Sequence, residues 1–235
     1  RNADCLLPYL NGEDVNSDPE QKPSRYVICF HDWDLERAKR YQALLRIVEE
    51  RVKPERERLR GPGDRRLRDY WWQFEGYRAG MRRAIAPLQR VLVRAEVSQM
   101  HMLSFVPKDW VYSHMLIVFA FDDDYHFALL QSTVHEAWVW RQASSLESRN
   151  RYTPTDCFDT FPFPFEEYRS ASLDELLQQP TFAQASCIGA EYHEHRRQVM
   201  LARNLGLTRT YNLFHNPACT ETGIARLREL HAAMD

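Results

Sequence analysis

Glu147, Arg149 and Arg151 occupy alternating positions shortly before a proline-rich segment. In an extended chain, a period of two puts all three side chains on one face. Their chemistry suits the edge of a base pair. An arginine can donate twice to guanine O6 and N7, and a glutamate can accept from cytosine N4, so Glu147 and Arg149 together fit one G·C pair. The same residues also describe an exposed Glu–Arg surface pair of little energetic weight. A duplex reader further needs cations for phosphate. Arg94, Lys108, Arg65 and Arg66 are the candidates, each with a solvated charge as its alternative.

Other familiar chemistry is missing. The sequence has no G-x-x-x-x-G-K-[ST] loop, no G-x-G-x-x-G, no G-x-S-x-G and no H-E-x-x-H. His193 and His195 form an H-x-H on a predicted helix, where positions i and i+2 point about 200° apart and share a metal poorly. Asp122-Asp123-Asp124 can hold Mg²⁺ in a nuclease, but between a strand and a helix it reads more simply as a solvated turn with an N-cap. Tyr70-Trp71-Trp72-Gln73-Phe74 reads as core, with a base-stacking platform as the lesser alternative.

These residues need a frame. The 235 residues suggest one large domain or two small ones at roughly 150 residues each. Hydrophobic residues at 44% can build a core, and a net charge of −2 excludes a uniformly basic nucleic-acid binder. No run approaches the roughly 18 apolar residues of a membrane span. Five scattered cysteines without a C-x-x-C pair fit a reduced, cytoplasmic protein. The start, Arg1-Asn2-Ala3-Asp4, carries neither a Met nor a signal peptide, which suggests a fragment or processed chain.

The pattern predicts an α+β fold, a mixed-sheet region over 1–165 followed by a small helical region over 166–235. Strands are expected at 6–10, 25–30, 90–94, 102–106, 111–112 and 115–121. The stretch 11–22 reads as loop. Asp34 caps an amphipathic helix from Leu35 that continues or restarts around Pro54, and 127–141 reads as one helix behind the acidic turn. Residues 151–154 and Phe161-Pro162-Phe163-Pro164 read as extended chain closing the domain, because proline removes donors. Tyr152, Phe158, Phe161 and Phe163 are expected in the core. Ser172 and Glu175 form a capping box, and helices follow over 191–204 and 220–234. Tyr211, Asn212 and His215 belong to this helical scaffold, with a second phosphate surface as a further possibility.

Three stretches carry a resemblance. They are Arg90-Val91-Leu92-Val93-Arg94 through Phe105-Val106-Pro107; His135-Glu136-Ala137-Trp138 through Arg151-Tyr152-Thr153-Pro154 to Phe161-Pro162-Phe163-Pro164; and Gly206-Leu207-Thr208 through Tyr211-Asn212. In this order, with Tyr9-Leu10-Asn11-Gly12 and Arg25-Tyr26-Val27-Ile28 ahead of them, the chain resembles the C-terminal half of MmeI-like (type IIL) restriction-modification and phage-defence adenine methyltransferases. The resemblance covers almost the whole chain. It implies a DNA target recognition domain with a helical extension, from a bacterial enzyme acting on adenine N6. It also implies base reading by Glu147, Arg149 and Arg151, with Ser113 and His114 acting alongside Arg151. The family's Asn-Pro-Pro-aromatic motif is absent, the one Asn-Pro being Asn216-Pro217 before Ala218. The chain is therefore expected to hold no cofactor and to be inactive alone, with S-adenosylmethionine in a missing catalytic domain of the same parent chain. Duplex DNA and that domain are the expected partners, and no membrane is. A protein-interaction subunit of a defence complex is the alternative, and a metal-dependent nuclease a remoter one.

Overall fold

The computed structural model describes residues 2–146, 149–164 and 172–235. Nine strands are present among them: β1 (Leu6–Leu10), β2 (Arg25–Ile28), β3 (Arg90–Ala95), β4 (Val97–Ser98), β5 (Ser104–Pro107), β6 (Val111–Tyr112), β7 (Leu116–Phe119), β8 (Ser144–Leu146) and β9 (Arg149–Arg151). Helices outweigh strands, and the fold is α+β as the pattern predicts. The chain divides into two compact units, one of 1–10, 23–87 and 109–114 and the other of 11–22, 88–108 and 115–235.

The first unit holds a mixed sheet of order β2-β1-β6, with β1–β2 antiparallel and β1–β6 parallel. Its core joins Cys5, Phe30, Ala38, Leu44, Leu45, Val48 and Trp72. The aromatic run thus supplies core, as expected, through Trp72, whose indole N–H donates to the Trp33 carbonyl at 2.9 Å. Asp34 caps its helix by accepting from the Arg37 amide. The helix expected behind it is divided into Leu35–Ala38, a 3₁₀ turn Lys39–Tyr41 and Gln42–Arg51, and it restarts beside Pro54 as Lys53–Arg58. Pro54 stands in the first turn of the last piece, where its missing N–H costs nothing.

The second unit contains two antiparallel sheets, β5-β3-β7 and β4-β9-β8. Its core runs from Leu92, Leu103 and Phe119 through Phe127, Leu130, Val139 and Tyr152 to Tyr192, Leu227 and Leu230. The helices after 172 therefore pack on the same core as the strands before 165. Phe158 and Phe163 lie against that core, and Tyr152 and Phe161 are buried.

Four local readings change. Residues 12–17 are helical rather than loop, because Asn11 and Asp14 form a capping box with aspartate in place of glutamate. The helix expected over 127–141 is two, Asp124–Gln131 and Thr133–Gln142. Ser132 sits between them in extended conformation, and its side chain accepts from the His135 amide, starting a new helix. Residues 151–154 are not one extended segment. Arg151 ends β9, the central strand of its sheet, and Pro154 opens the helical turn Pro154–Cys157. Finally, the helix expected over 191–204 begins earlier and spans Pro180–Arg203. Asn204 closes it in the left-handed conformation, at φ 51°.

Candidate nucleic-acid interface

Strand β9 reads Arg149-Asn150-Arg151. Its alternation is the expected one, since both arginines are exposed and Asn150 between them is buried. Glu147 lies outside the described residues. Arg151 donates through Nε to Glu96 Oε1 at 2.7 Å. Glu96 also binds the strand through its backbone, its carbonyl accepting from the Tyr152 amide at 2.8 Å. Arg149 opens onto a depression of about 380 Å³, bordered by Asn16, Ser98, Gln99, Met100 and Thr208. These side chains offer both donors and acceptors.

The inward side of β9 is unusual. Arg94 is 1% exposed and is not available to phosphate, which corrects its expected role. Its guanidinium donates through Nη2 to Asn150 Oδ1 at 2.9 Å and through Nε to the Ala95 carbonyl at 3.2 Å. It also lies 4.4 Å from the centre of the Tyr152 ring. Burial pushes this guanidinium down to about 10, so at neutral pH it remains a cation.

That charge fixes the protons around it. Arg94 Nη1 lies 3.0 Å from His101 Nδ1, and a guanidinium can only donate. His101 therefore accepts at Nδ1 and carries its proton on Nε2, which donates to the Leu130 carbonyl. The same carbonyl takes the Nδ1 proton of His135 at 2.8 Å. His135 Nε2 is then left to accept from the Tyr152 hydroxyl at 3.3 Å. Burial lowers both imidazoles, His135 to about 4 and His101 well below its usual range, so both rings are neutral.

The other expected contacts divide between the two units. Ser113 and His114 belong to the first unit, whereas Arg149 and Arg151 belong to the second. Ser113 is 5% exposed, with its amide donating to the Leu10 carbonyl, so its side chain does not stand free at a surface. His114 is exposed in the turn behind it. Arg65 and Arg66 are exposed in the first unit, where Arg66 lines a depression of about 450 Å³ with Arg56, Tyr70, Gln73, Tyr77 and Arg78. Arg65 reaches Asp69 at 3.3 Å from an open position. Lys108 is half-buried in the second unit.

The acidic turn is absorbed by structure. Asp123 caps the Asp124–Gln131 helix, and Asp122 and Asp124 engage Gln89 and Arg90. His193 packs edge-on against Phe105 and Phe127, while His195 meets the Gly223 carbonyl. Sequence reasoning missed Asn150 and Glu96. Asn150 had a signal: the middle residue of an Arg-x-Arg strand faces inward, and an inward asparagine needs a buried partner. Glu96 had none, because its pairing with Arg151 is set by strand order.

The site is thus a short polar strand with two exposed arginines, held on an α+β frame by a buried hydrogen-bond network. The family model for the MmeI target recognition domain matches residues 3–165, and the chain belongs to that family. In fold it is similar to the enzyme in "Structure of Type IIL restriction-modification enzyme MmeI in complex with DNA has implications for engineering of new specificities". The TM-score is 0.69 at 18% sequence identity, over 100% of this chain and 28% of that one. The chain thus spans little more than a quarter of the length of that relative. No curated protein matches. No helix among the described residues is long and apolar enough to cross a membrane.

Proposed function

We propose that this chain is the DNA sequence-recognition module of a cytoplasmic type IIL restriction-modification enzyme, and that β9 is its reading strand. One observation carries the reading: Arg149 and Arg151 leave a central strand on one face while Asn150 is held inward by Arg94. Arginines presented this way match the acceptor pair of guanine in the major groove, and Glu147 at the next alternating position adds an acceptor for cytosine. Exposed cations such as Arg65 and Arg66 supply contacts to phosphate that carry no sequence information. The depression beside Arg149 gives room for a base edge, with Ser98 and Gln99 at its rim.

Within the parent enzyme, adenine N6 methylation belongs to a catalytic part outside this chain, where S-adenosylmethionine would bind and the target adenine would be flipped. No residue of this chain is assigned to the methyl donor. The test is to bind the protein to a pool of duplexes with a randomised core, then sequence the bound fraction. A defined preference that Arg149→Ala or Arg151→Ala relaxes at particular positions supports the reading. Binding without any base preference overturns it.

A further inference from the structure

The residue between the two exposed arginines is held in a costly way. Asn150 is 1% exposed, and its Nδ2 has no hydrogen-bond partner among the described residues. The group that meets its Oδ1 is a cation, Arg94, itself 1% exposed and in no ion pair among the described residues. Apolar side chains filling the same volume are generally as stable as such an arrangement, or more so. A polar set of this kind supplies instead a single geometry, because each donor and acceptor is committed in direction. Arg94 is held at Ala95 and His101 independently of β9, and the Tyr152 ring packs on its guanidinium, so the direction of its Nη2 does not depend on Asn150 alone.

The charge on Arg94 adds a second constraint. A strand slipped by one residue turns every side chain to the opposite face. For β9 that slip would carry Arg149 or Arg151 inward, onto a buried guanidinium. Two like charges in a low-dielectric interior exclude that register. Only the neutral residue of the Arg-Asn-Arg triplet can face Arg94.

We infer that Arg94 is the positioning residue of the reading strand: it selects Asn150 as the inward residue, and so fixes the register in which Arg149 and Arg151 are presented. This rests on the proposed base-reading role of β9, and its test separates the two.

The full chain and its variants are bound to the randomised duplex pool, and base preference is read position by position. Arg149→Ala and Arg151→Ala first mark which positions β9 reads. Arg94→Met keeps an unbranched, flexible stem but removes the guanidinium, and with it both charge and donors. At the marked positions its preference is expected to fall from at least about fivefold to near one, with other positions retained. Arg94→Lys keeps the charge that forbids the slip and is expected to restore most of that preference. A merely structural role would instead lower binding to all sequences alike. Should Arg94→Met fail to fold, Arg94→Leu decides, since it too removes the charge and the donors while placing apolar volume at the site. The inference is overturned if Arg149→Ala and Arg151→Ala relax the marked positions while folded Arg94→Met, or failing that Arg94→Leu, keeps them sharp. It is equally overturned by uniform weakening without loss of preference. If Arg149→Ala and Arg151→Ala change no position, the reading strand itself is wrong and both proposals fall.

Discussion

Arg196 reaches across 93 residues of chain to Leu103, its Nη2 donating to the Leu103 carbonyl at 2.6 Å. The helix Pro180–Arg203 lies beyond the family match, and Leu103 directly precedes β5. Arg196 is 1% exposed, and its Nη1 donates to the Tyr211 hydroxyl, which in turn meets the Tyr192 hydroxyl at 2.7 Å. The helical segment is therefore wired into the frame that carries β9.

Removing that wiring is expected to destabilise the second unit. Arg196→Ala leaves the buried Leu103 carbonyl without this donor, at about 1–3 kcal/mol, while the Tyr211 hydroxyl keeps Tyr192. A chain ending at 165 also uncovers Phe127 and Leu130, which pack in one core with Tyr192, Leu227 and Leu230. Urea unfolding followed by tryptophan fluorescence should show a lowered midpoint for Arg196→Ala and no cooperative transition for the truncated chain. A truncated chain that unfolds cooperatively would show that the strands up to 165 stabilise themselves.

Acid should weaken the fold through the two histidines beside Arg94. Burial holds His135 at about 4 and His101 well below 6.5. As pH falls below 6.5, the unfolded chain takes up protons that the folded chain refuses. Stability that is complete at neutral pH is therefore lost between 6.5 and about 4. At 1.36 kcal/mol per pKa unit the loss is roughly 3 kcal/mol for His135 alone. His193, lowered by burial and by Arg196 to about 3, acts in the same direction. Urea midpoints measured across this range should decline, and His135→Asn should remove up to one proton from the slope. A flat profile would mean that these rings are protonated without opening the core.

The local part of this design is legible in the sequence. Ser172 and Glu175 form their capping box within four residues, and Asp123 caps its helix as the acidic turn suggests. The alternation that exposes Arg149 and Arg151 is equally local. Arg94 was not legible. In Arg90-Val91-Leu92-Val93-Arg94 both arginines share a face, yet Arg90 is partly exposed and binds Asp124, while Arg94 is buried. What separates them is Asn150, 56 residues away, which makes a neutral acceptor available in the interior. The division into two units was hidden for the same reason, because it depends on chain segments that leave and return.

Salt dependence should separate buried from exposed cations. Each phosphate contact contributes about one unit to the slope of log affinity against log salt. Arg66 is exposed beside an open depression, so Arg66→Ala is expected to reduce the slope by about one. Arg94 is enclosed and contributes no such unit. Equilibrium binding to a fixed duplex over a series of salt concentrations measures both. An unchanged slope for Arg66→Ala would remove that side chain from the phosphate contacts.

The sharpest expectation concerns Glu147 and Arg149. If they read one G·C pair, they act as a matched acceptor and donor, and changing either alone leaves a base edge unsatisfied. The preferred site should then lose about 1–3 kcal/mol of binding. Replacing both with reversed polarity, Glu147→Lys with Arg149→Asp, presents the opposite pattern to the same base pair. Arg149 is exposed and Asn150 carries the contact with the frame, so folding should survive the exchange. Arg151 keeps its Glu96 partner, so the position it reads should not move. The two chains are compared on the randomised duplex pool, with thermal unfolding as the control for structure. A switch at one position, from G·C to C·G, with the remaining positions intact, is the expected result. An unaltered preference at normal affinity would make Glu147 and Arg149 ordinary surface charges and leave the reading to Arg151 and the rim of the adjacent depression.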